Sequence, residues 1–314
     1  MARVDRRVLL WNWAIRRQGS IAAKSDAEIV ALQARRTPSN ALMNRIFGSV
    51  AKGVAVEERA ILGPGGDLAT RVYRPREEGS GSRPLVVYFH GGGFVLGDLR
   101  LGDWICSEVA ATVGAVVLSV AYRLAPSHPF PAAVDDCYAA LLWATENAGS
   151  LGAGGPVAVM GESAGGNLAA VVSLLARDRG GPAISQQVLI YPATDMTTEA
   201  PATATTPFLT APEMRAYREH YLADADPRDT RLSPMLAEDH SKLPPALILV
   251  GEHDPLRDGG IRYAAALRAA GVPVRLTEYV GMPHGFLNFP GLCRLAPQAL
   301  AEICAEQKAA LVKS

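Results

Sequence analysis

The chain has 314 residues, of which 31 are basic and 31 acidic, so its formal net charge at pH 7 is zero. This balance argues against a nucleic acid or an anionic membrane as a partner held by bulk charge. Hydrophobic residues make up 49% of the chain, which argues against disorder, and apolar runs such as AVVLSVAY are far shorter than the ~20 residues that cross a bilayer.

Residues 1–50 have apolar positions at helical spacing and are predicted to form helices. Within them, the apolar stretch from Val8 to Ile15 is short, contains Asn12 and is followed by two arginines instead of a small-residue cleavage site. A secretory signal would need such a site, so we expect an amphipathic helix and a cytoplasmic protein. The four cysteines are too scattered for a disulfide framework or a CxxC metal site, which favours reduced thiols.

The segments AVEERAIL and ATRVYRP, separated by GPGGD, are predicted to form two strands and a tight turn. From residue 85 onward, apolar strands alternate with amphipathic helices. The predicted strands are LVVYFH (85–90), AVVLSVAY (115–122), VAVMG (157–161), QVLIYP (187–192), ALILVG (246–251) and VRLTEYV (274–280). The predicted helices span roughly 103–113, 131–147, 164–178, 258–270 and 294–311. Because unbroken Val/Ile/Leu runs are typical of strands covered on both faces, the sequence predicts an α/β fold with a mostly parallel sheet.

About fifty residues separate YPATD from the strand at Ala246, far more than the ~2–6 residues typical of connections in such a sheet. The stretch contains a predicted helix from Glu213 to Ala223. Since a long insertion usually covers a site, we expect it to form a cap together with the N-terminal helices. The predicted organisation is an N-terminal cap part (1–50), a first core part (51–199), a cap insertion (200–235) and a second core part (236–314).

The strand VAVMG runs into GESAGG and then into a helix, which matches G-x-S-x-G at a strand-to-helix turn. Such a sharp turn leaves the serine hydroxyl, here that of Ser163, exposed above the sheet as a nucleophile. In a chain with 30 glycines the pentapeptide alone is weak evidence, and a nucleotide-binding loop is an alternative. No G-x-G-x-x-G follows an early strand and no P-loop lysine is present, which disfavours that alternative.

A second motif, HGGGF, directly follows the strand LVVYFH. Consecutive glycines let backbone N–H groups approach a ligand closely, and acyl transfer needs such donors because negative charge develops on the carbonyl oxygen. We therefore predict an oxyanion hole formed by Gly91, Gly92, Gly93 and Ala164. His90 is expected to shape this loop through hydrogen bonds.

The catalytic base is predicted from chain order, since this architecture places the serine first, the acid second and the histidine last. Of the six histidines, two precede Ser163, two lie in the long insertion, and His253 precedes the preferred acid. His284 remains, in GMPHGF just after the strand VRLTEYV.

Several acids lie between Ser163 and His284, so position must discriminate among them. Asp254, in GEHDPL, lies three residues beyond ALILVG, at the carboxyl edge where open α/β sheets gather their sites. Asp258 is the second candidate, although a helix cap is a sufficient role for it. Glu252 is expected to be structural.

Taken together, HGGGF, AYRLAPSHPFPAA, GESAGG, DPL and HGF resemble the motifs of the hormone-sensitive-lipase-like esterases (bacterial family IV) of the α/β-hydrolase fold. The resemblance covers roughly residues 55–290, with five motifs in order. It implies a mostly parallel sheet with helices on both faces and a helical cap, with Ser163 as nucleophile, His284 as base and Asp254 as its partner. It also implies that no metal or organic cofactor is used and that homodimers are common.

Two positions depart from the family pattern. Ser127 stands where the family usually has the glutamate of YRLAPE, and Gly259 replaces a glutamate in DPLRDEG. Neither belongs to the predicted triad, so both departures concern local stability.

The predicted function is hydrolysis of carboxylic esters with short- to medium-chain acyl groups through an acyl-enzyme. The expected partner is a small-molecule ester. Neither a nucleic acid nor a membrane is expected as a partner. Apolar side chains in segments that could line the acyl or alcohol pocket are Phe94, Met196, Phe208, Leu209, Tyr217, Tyr221, Met282 and Phe286. An amidase or peptidase with the same triad is an alternative, and so is a ligand-binding protein on the same fold. The presence of all three triad candidates favours an enzyme.

Overall fold

The computed structural model describes residues 4–17, 19–35, 40–77, 82–199 and 206–312. The predicted divisions of the chain therefore lie partly outside the described residues, at 1–3, 18, 36–39, 78–81, 200–205 and 313–314. In the described ranges, no helix has the length and apolar character needed to cross a membrane.

An eight-stranded sheet forms the centre of the structure. Its strands are β1 (Val54–Gly63), β2 (Gly66–Pro75), β3 (Leu85–Phe89), β4 (Val116–Val120), β5 (Val157–Glu162), β6 (Gln186–Ile190), β7 (Ala246–His253) and β8 (Val274–Pro283). They lie in the order β1-β2-β4-β3-β5-β6-β7-β8. The β1–β2 and β2–β4 pairs are antiparallel and the remaining pairs are parallel, which confirms the predicted mostly parallel sheet.

Helices cover both faces of this sheet. The described helices are α1 (Arg6–Arg16), α2 (Asp26–Gln33), α3 (Ala41–Phe47), α4 (Asp103–Val113), α5 (Ala132–Glu146), α6 (Ala148–Leu151), α7 (Ala164–Asp178), α8 (Ala211–Leu222), α9 (Arg257–Ala269) and α10 (Ala296–Leu311). One core lies between the sheet and α5, α7 and α9, and a second lies between the sheet and α4 and α10. In β3, Leu85, Val87 and Phe89 enter the first core and Val86 and Tyr88 the second, all fully buried. Because both faces are covered, this strand has no polar face.

Several predicted boundaries differ from the observed ones, by at most three residues. The β1–β2 hairpin is tighter than the five-residue turn predicted from GPGGD, because pairing continues to Gly63 and Gly66. Gly66 has φ +108°, which L side chains rarely adopt, so glycine permits this short turn. Helix α8 begins two residues before the predicted Glu213, because the Thr210 hydroxyl accepts from the Glu213 N–H while the Glu213 carboxylate accepts from the Thr210 N–H.

The N-terminal helices and the inserted segment contact each other. Asn12 Oδ1 accepts a hydrogen bond from the Phe208 N–H at 3.0 Å. The side chain of Gln33 donates to the carbonyl oxygens of Val95 and Ala125, at 2.7 Å each, and so fixes α2 to the loops beyond β3 and β4. Both segments therefore lie at the same end of the sheet, and their assignment to a single cap stays a prediction.

Candidate active site

Ser163 lies at the sharp turn between β5 and α7, with φ 53° and ψ −114°. Glycines on both sides make this turn possible. A Cβ on Gly161 would lie 2.1 Å from the Gly165 carbonyl oxygen, and a Cβ on Gly165 would lie 1.9 Å from that of Phe89. The N–H of Ser163 donates to the carbonyl of Ile190 at 2.8 Å. The strained backbone thus presents the serine hydroxyl above the carboxyl edge of the sheet.

His284 lies between Ser163 and Asp254. Its Nε2 is 2.8 Å from Ser163 Oγ, and its Nδ1 is 2.8 Å from Asp254 Oδ2. With the ring proton on Nδ1, His284 donates to Asp254 and accepts from the serine hydroxyl, as a general base must. The side chain of Asp254 is fully buried, and its other oxygen accepts from the Leu256 N–H at 2.8 Å. This arrangement can remove a proton from serine and stabilise the resulting imidazolium.

The two loops that carry Asp254 and His284 follow β7 and β8, whose carboxyl ends meet at one edge. The two other acids considered, Glu252 and Asp258, have different partners. Glu252 accepts from the Gly281 N–H at 2.8 Å, a structural contact. Asp258 is 73% exposed and lies 2.6 Å from the Arg257 guanidinium, so the structure places Asp254 rather than Asp258 against His284.

The N–H groups of the HGGG loop do not all point to the same place. That of Gly91 donates to the buried carboxylate of Glu162 at 3.2 Å. The prediction that Gly91 supplies an oxyanion donor is therefore wrong, because its single N–H is already used. Gly92 and Gly93 have φ of 119° and 64°, and Ala164, the first residue of α7, has an N–H without a partner inside the helix. These three remain the candidate donors.

His90 contacts the backbone of its own loop. Its Nδ1 lies 2.7 Å from the Gly91 carbonyl oxygen, and its carbonyl accepts from the Tyr122 hydroxyl at 2.7 Å. Burial lowers the pKa of His90, which favours the neutral ring. These contacts fit the expected loop-shaping role.

A cavity of about 550 Å³ opens onto Ser163 and His284. It is lined by six of the residues predicted for the pocket: Phe94, Met196, Phe208, Leu209, Tyr217 and Tyr221. The prediction is wrong for Met282 and Phe286, whose side chains are buried in the core beside α10. The chain turns at Gly285, with φ 70°, and this turn directs Phe286 into the core instead of the cavity.

An aromatic wall of the cavity was not predicted from the sequence. Phe47 from α3, Phe208 from the insertion and Phe289 beyond the base form a cluster, with ring centroids of Phe289 5.3 Å from Phe47 and 4.8 Å from Phe208. No local pattern could have linked three segments so distant in the chain. The role of Glu162 was not predicted either. A charged residue at the end of an otherwise apolar strand could have indicated it, because a buried carboxylate needs hydrogen-bond partners.

The cavity also has charged lining residues of both signs, among them Asp195, Arg215 and Arg262. Over the described parts of the chain, no three His, Cys, Asp or Glu side chains are grouped so as to hold a metal ion.

Residues 86–288 match the family model described as alpha/beta hydrolase fold. The chain is 49% identical over 246 residues to the carboxylic ester hydrolase LipN of Mycobacterium tuberculosis H37Rv, a match that spans 75% of this chain but only 65% of LipN. It is 44% identical over 267 residues to the carboxylesterase NlhH of the same organism, spanning 82% of this chain and 83% of NlhH. Among solved structures, an ester hydrolase from the metagenome of Lake Arreo is similar with a TM-score of 0.87, at 36% identity and over 97% of each chain.

Proposed function

The chain belongs to the hormone-sensitive-lipase-like esterases of the α/β-hydrolase family and is a carboxylic ester hydrolase, and on this premise we propose that Ser163, His284 and Asp254 are its catalytic triad. The observation that carries the proposal is the pair of 2.8 Å contacts that join the three side chains at the cavity.

Acylation begins when the Ser163 proton moves to His284 Nε2 while Oγ bonds to the ester carbonyl carbon. The electron pair of the carbonyl moves to its oxygen, where the N–H groups of Gly92, Gly93 and Ala164 donate to it. The buried carboxylate beside Nδ1 stabilises the imidazolium. His284 then gives its proton to the alcohol oxygen as the ester C–O bond breaks.

Deacylation repeats these steps with water. His284 takes a proton from water while the oxygen bonds to the acyl carbon, and then returns that proton to Ser163 Oγ as the acyl–enzyme bond breaks. The carboxylic acid product and the free enzyme result.

The size of the cavity supports a preference for short- to medium-chain acyl groups. Each methylene that is buried contributes ~0.8 kcal/mol until the space is filled. The aromatic wall of Phe47, Phe208 and Phe289 closes part of the 550 Å³ cavity, so additional methylenes meet this wall or water and contribute no more.

Two further properties belong to the same proposal. A cytoplasmic location is supported by the four cysteines, which are unpaired and buried. A homodimer is supported by β8, which forms one end of the strand order and has no strand beside it among the described residues. The mass of the protein in solution tests the second property.

The triad is tested with Ser163→Ala and, as a control, Ser150→Ala at an exposed serine. Ser163→Ala is expected to retain the fold and to lower kcat by on the order of 10⁶. An organophosphate is expected to label one serine in the wild type and in the control. Equal labelling of Ser163→Ala would overturn the assignment.

A further inference from the structure

Glu162 is a buried carboxylate that the reaction steps above do not use. It is the last residue of β5, directly before the nucleophile, and none of its surface is exposed. Its Oε1 accepts from the Tyr88 hydroxyl and the Gly91 N–H, at 3.2 Å each. Its Oε2 accepts from the Tyr191 hydroxyl at 2.7 Å and from Asn288 Nδ2 at 2.5 Å. Both oxygens are therefore fully engaged.

The donors around Glu162 match a carboxylate. An ionised carboxyl group only accepts hydrogen bonds, and the backbone N–H and the side-chain NH₂ that face it can only donate. Burial raises the pKa of Glu162, while the hydrogen bonds from Tyr191, Gly91, Asn288 and Tyr88 oppose that rise. A neutral amide in its place would turn an NH₂ group toward one pair of these donors.

The groups that Glu162 holds belong to different parts of the site. Gly91 begins the loop that carries two of the candidate oxyanion donors. Asn288 ends the 3-10 turn Phe286–Asn288, which begins two residues after the base. The Tyr191 ring packs edge-on against the His284 ring, with centroids 4.9 Å apart. One side chain thus contacts the oxyanion loop, the loop of the base and the ring beside the base.

We propose that Glu162 is a positioning residue that sets the placement of the oxyanion donors relative to His284. The inference rests on the proposed function, since it assigns a role relative to the triad. Acyl transfer needs both parts within a fraction of an ångström, and a misplacement of about 1 Å can lower the rate on the order of 10²-fold. None of the surface of Glu162 is exposed, so it acts through its hydrogen bonds with Gly91 and Asn288.

The test is Glu162→Gln, with Glu302→Gln as the matched control. Glu302 also accepts several hydrogen bonds, from Tyr279, Thr277 and Arg275, but it joins β8 to α10 away from the cavity. The concentration of active enzyme is measured by titration with an organophosphate, so that unfolded protein is excluded from the calculation of kcat. Kinetics with a butyrate ester and the affinity for a short trifluoromethyl ketone, which forms an oxyanion adduct on serine, are then measured.

For Glu162→Gln we expect kcat to fall on the order of 10²-fold while KM stays within about threefold. The affinity for the ketone is expected to fall by the same factor as kcat/KM, because the adduct uses the same donors and base. For Glu302→Gln we expect a lower melting temperature with unchanged kcat. A Glu162→Gln enzyme with kcat near the wild-type value, or one whose ketone affinity is unchanged, would overturn the proposal.

Two further results keep the inference separate from folding and from the triad assignment. If Glu162→Gln does not fold, Asn288→Ala removes a single hydrogen bond to the carboxylate. It is expected to lower both kcat and ketone affinity about tenfold, the scale of one hydrogen bond to a charged group. Wild-type values in that variant would overturn the proposal. If the organophosphate fails to label Ser163 in the wild type, the triad itself is wrong, whereas normal labelling with full activity of Glu162→Gln rejects only the positioning role.

Discussion

Tyr217 of helix α8 packs directly against Gly93 of the HGGG loop. A Cβ built on Gly93 would lie 2.4 Å from Tyr217 Cγ, and φ at Gly93 is 64°. Next to this contact, the Phe94 ring stacks on Tyr221 with centroids 3.7 Å apart. The inserted segment therefore contacts the HGGG loop directly. A substitution in the insertion can for this reason alter catalysis without changing the proposed triad.

Gly93→Ala is expected to lower kcat by roughly 10²–10³, the cost of one misplaced oxyanion donor. The added methyl group must displace either the loop or Tyr217. Gly149→Ala serves as the control, because a Cβ there meets nothing within 4 Å. Adding Tyr217→Ala to Gly93→Ala is expected to restore part of the rate. Wild-type kcat in Gly93→Ala, measured with a butyrate ester, would contradict the role given to this contact.

Asp254→Asn is expected to lower kcat by roughly 10⁴, because an amide no longer holds the tautomer of His284 with its proton on Nδ1. Asp258→Asn is the matched change at an exposed carboxylate beside Arg257, and we expect nearly full activity. Steady-state kinetics of the two variants decide between them. If Asp258→Asn lost its activity while Asp254→Asn kept most of it, the acid would be Asp258 and not Asp254.

Phe208→Ala is expected to shift the preferred acyl length of p-nitrophenyl esters toward longer chains, since it removes a ring from the aromatic wall. Leu62→Ala, at a side chain that is 77% exposed, should leave the profile unchanged. The comparison is kcat/KM over a series of chain lengths. An unchanged profile in Phe208→Ala would show that this wall does not limit the acyl chain. Separately, faster hydrolysis of long-chain triglycerides than of butyrate esters by the wild type would refute the proposed preference.

Asp136→Ala is expected to lower the free energy of unfolding by about 3 kcal/mol. This value is at the lower end of the range for removing one partner of a buried ion pair, because the partner, Arg123, is 28% exposed. The Asp136 carboxylate is 2% exposed and accepts from Arg123 Nε and Nη2 at 2.8–3.1 Å. Urea denaturation measures the loss, and kcat per active site should not change. In Asp258→Asn, where the pair is at the surface, we expect a loss below ~1 kcal/mol. Equal losses of unfolding free energy in both variants would show that the burial of Asp136 does not strengthen its ion pair.

Local features made much of the fold and the proposed triad predictable from the sequence. A strand covered on both faces must be apolar at every position, as in LVVYF, and its length distinguishes it from a helix. A strained turn needs small residues at fixed offsets, so GESAG indicates Ser163 as the candidate nucleophile. The order of elements along the chain then leaves His284 as the candidate base and places Asp254 at the edge of the sheet. These properties depend on residues close in sequence and on chain order.

The tertiary structure decided the contacts between segments that are far apart in the chain. It assigned the Gly91 N–H to Glu162, 71 residues away, and thereby removed one predicted donor. It joined Phe47, Phe208 and Phe289 in one wall, and it turned Met282 and Phe286 into the core. Periodicity and motifs describe which face of an element is apolar, but a hydrogen bond or a pocket wall depends on the relative placement of whole elements, which only packing determines.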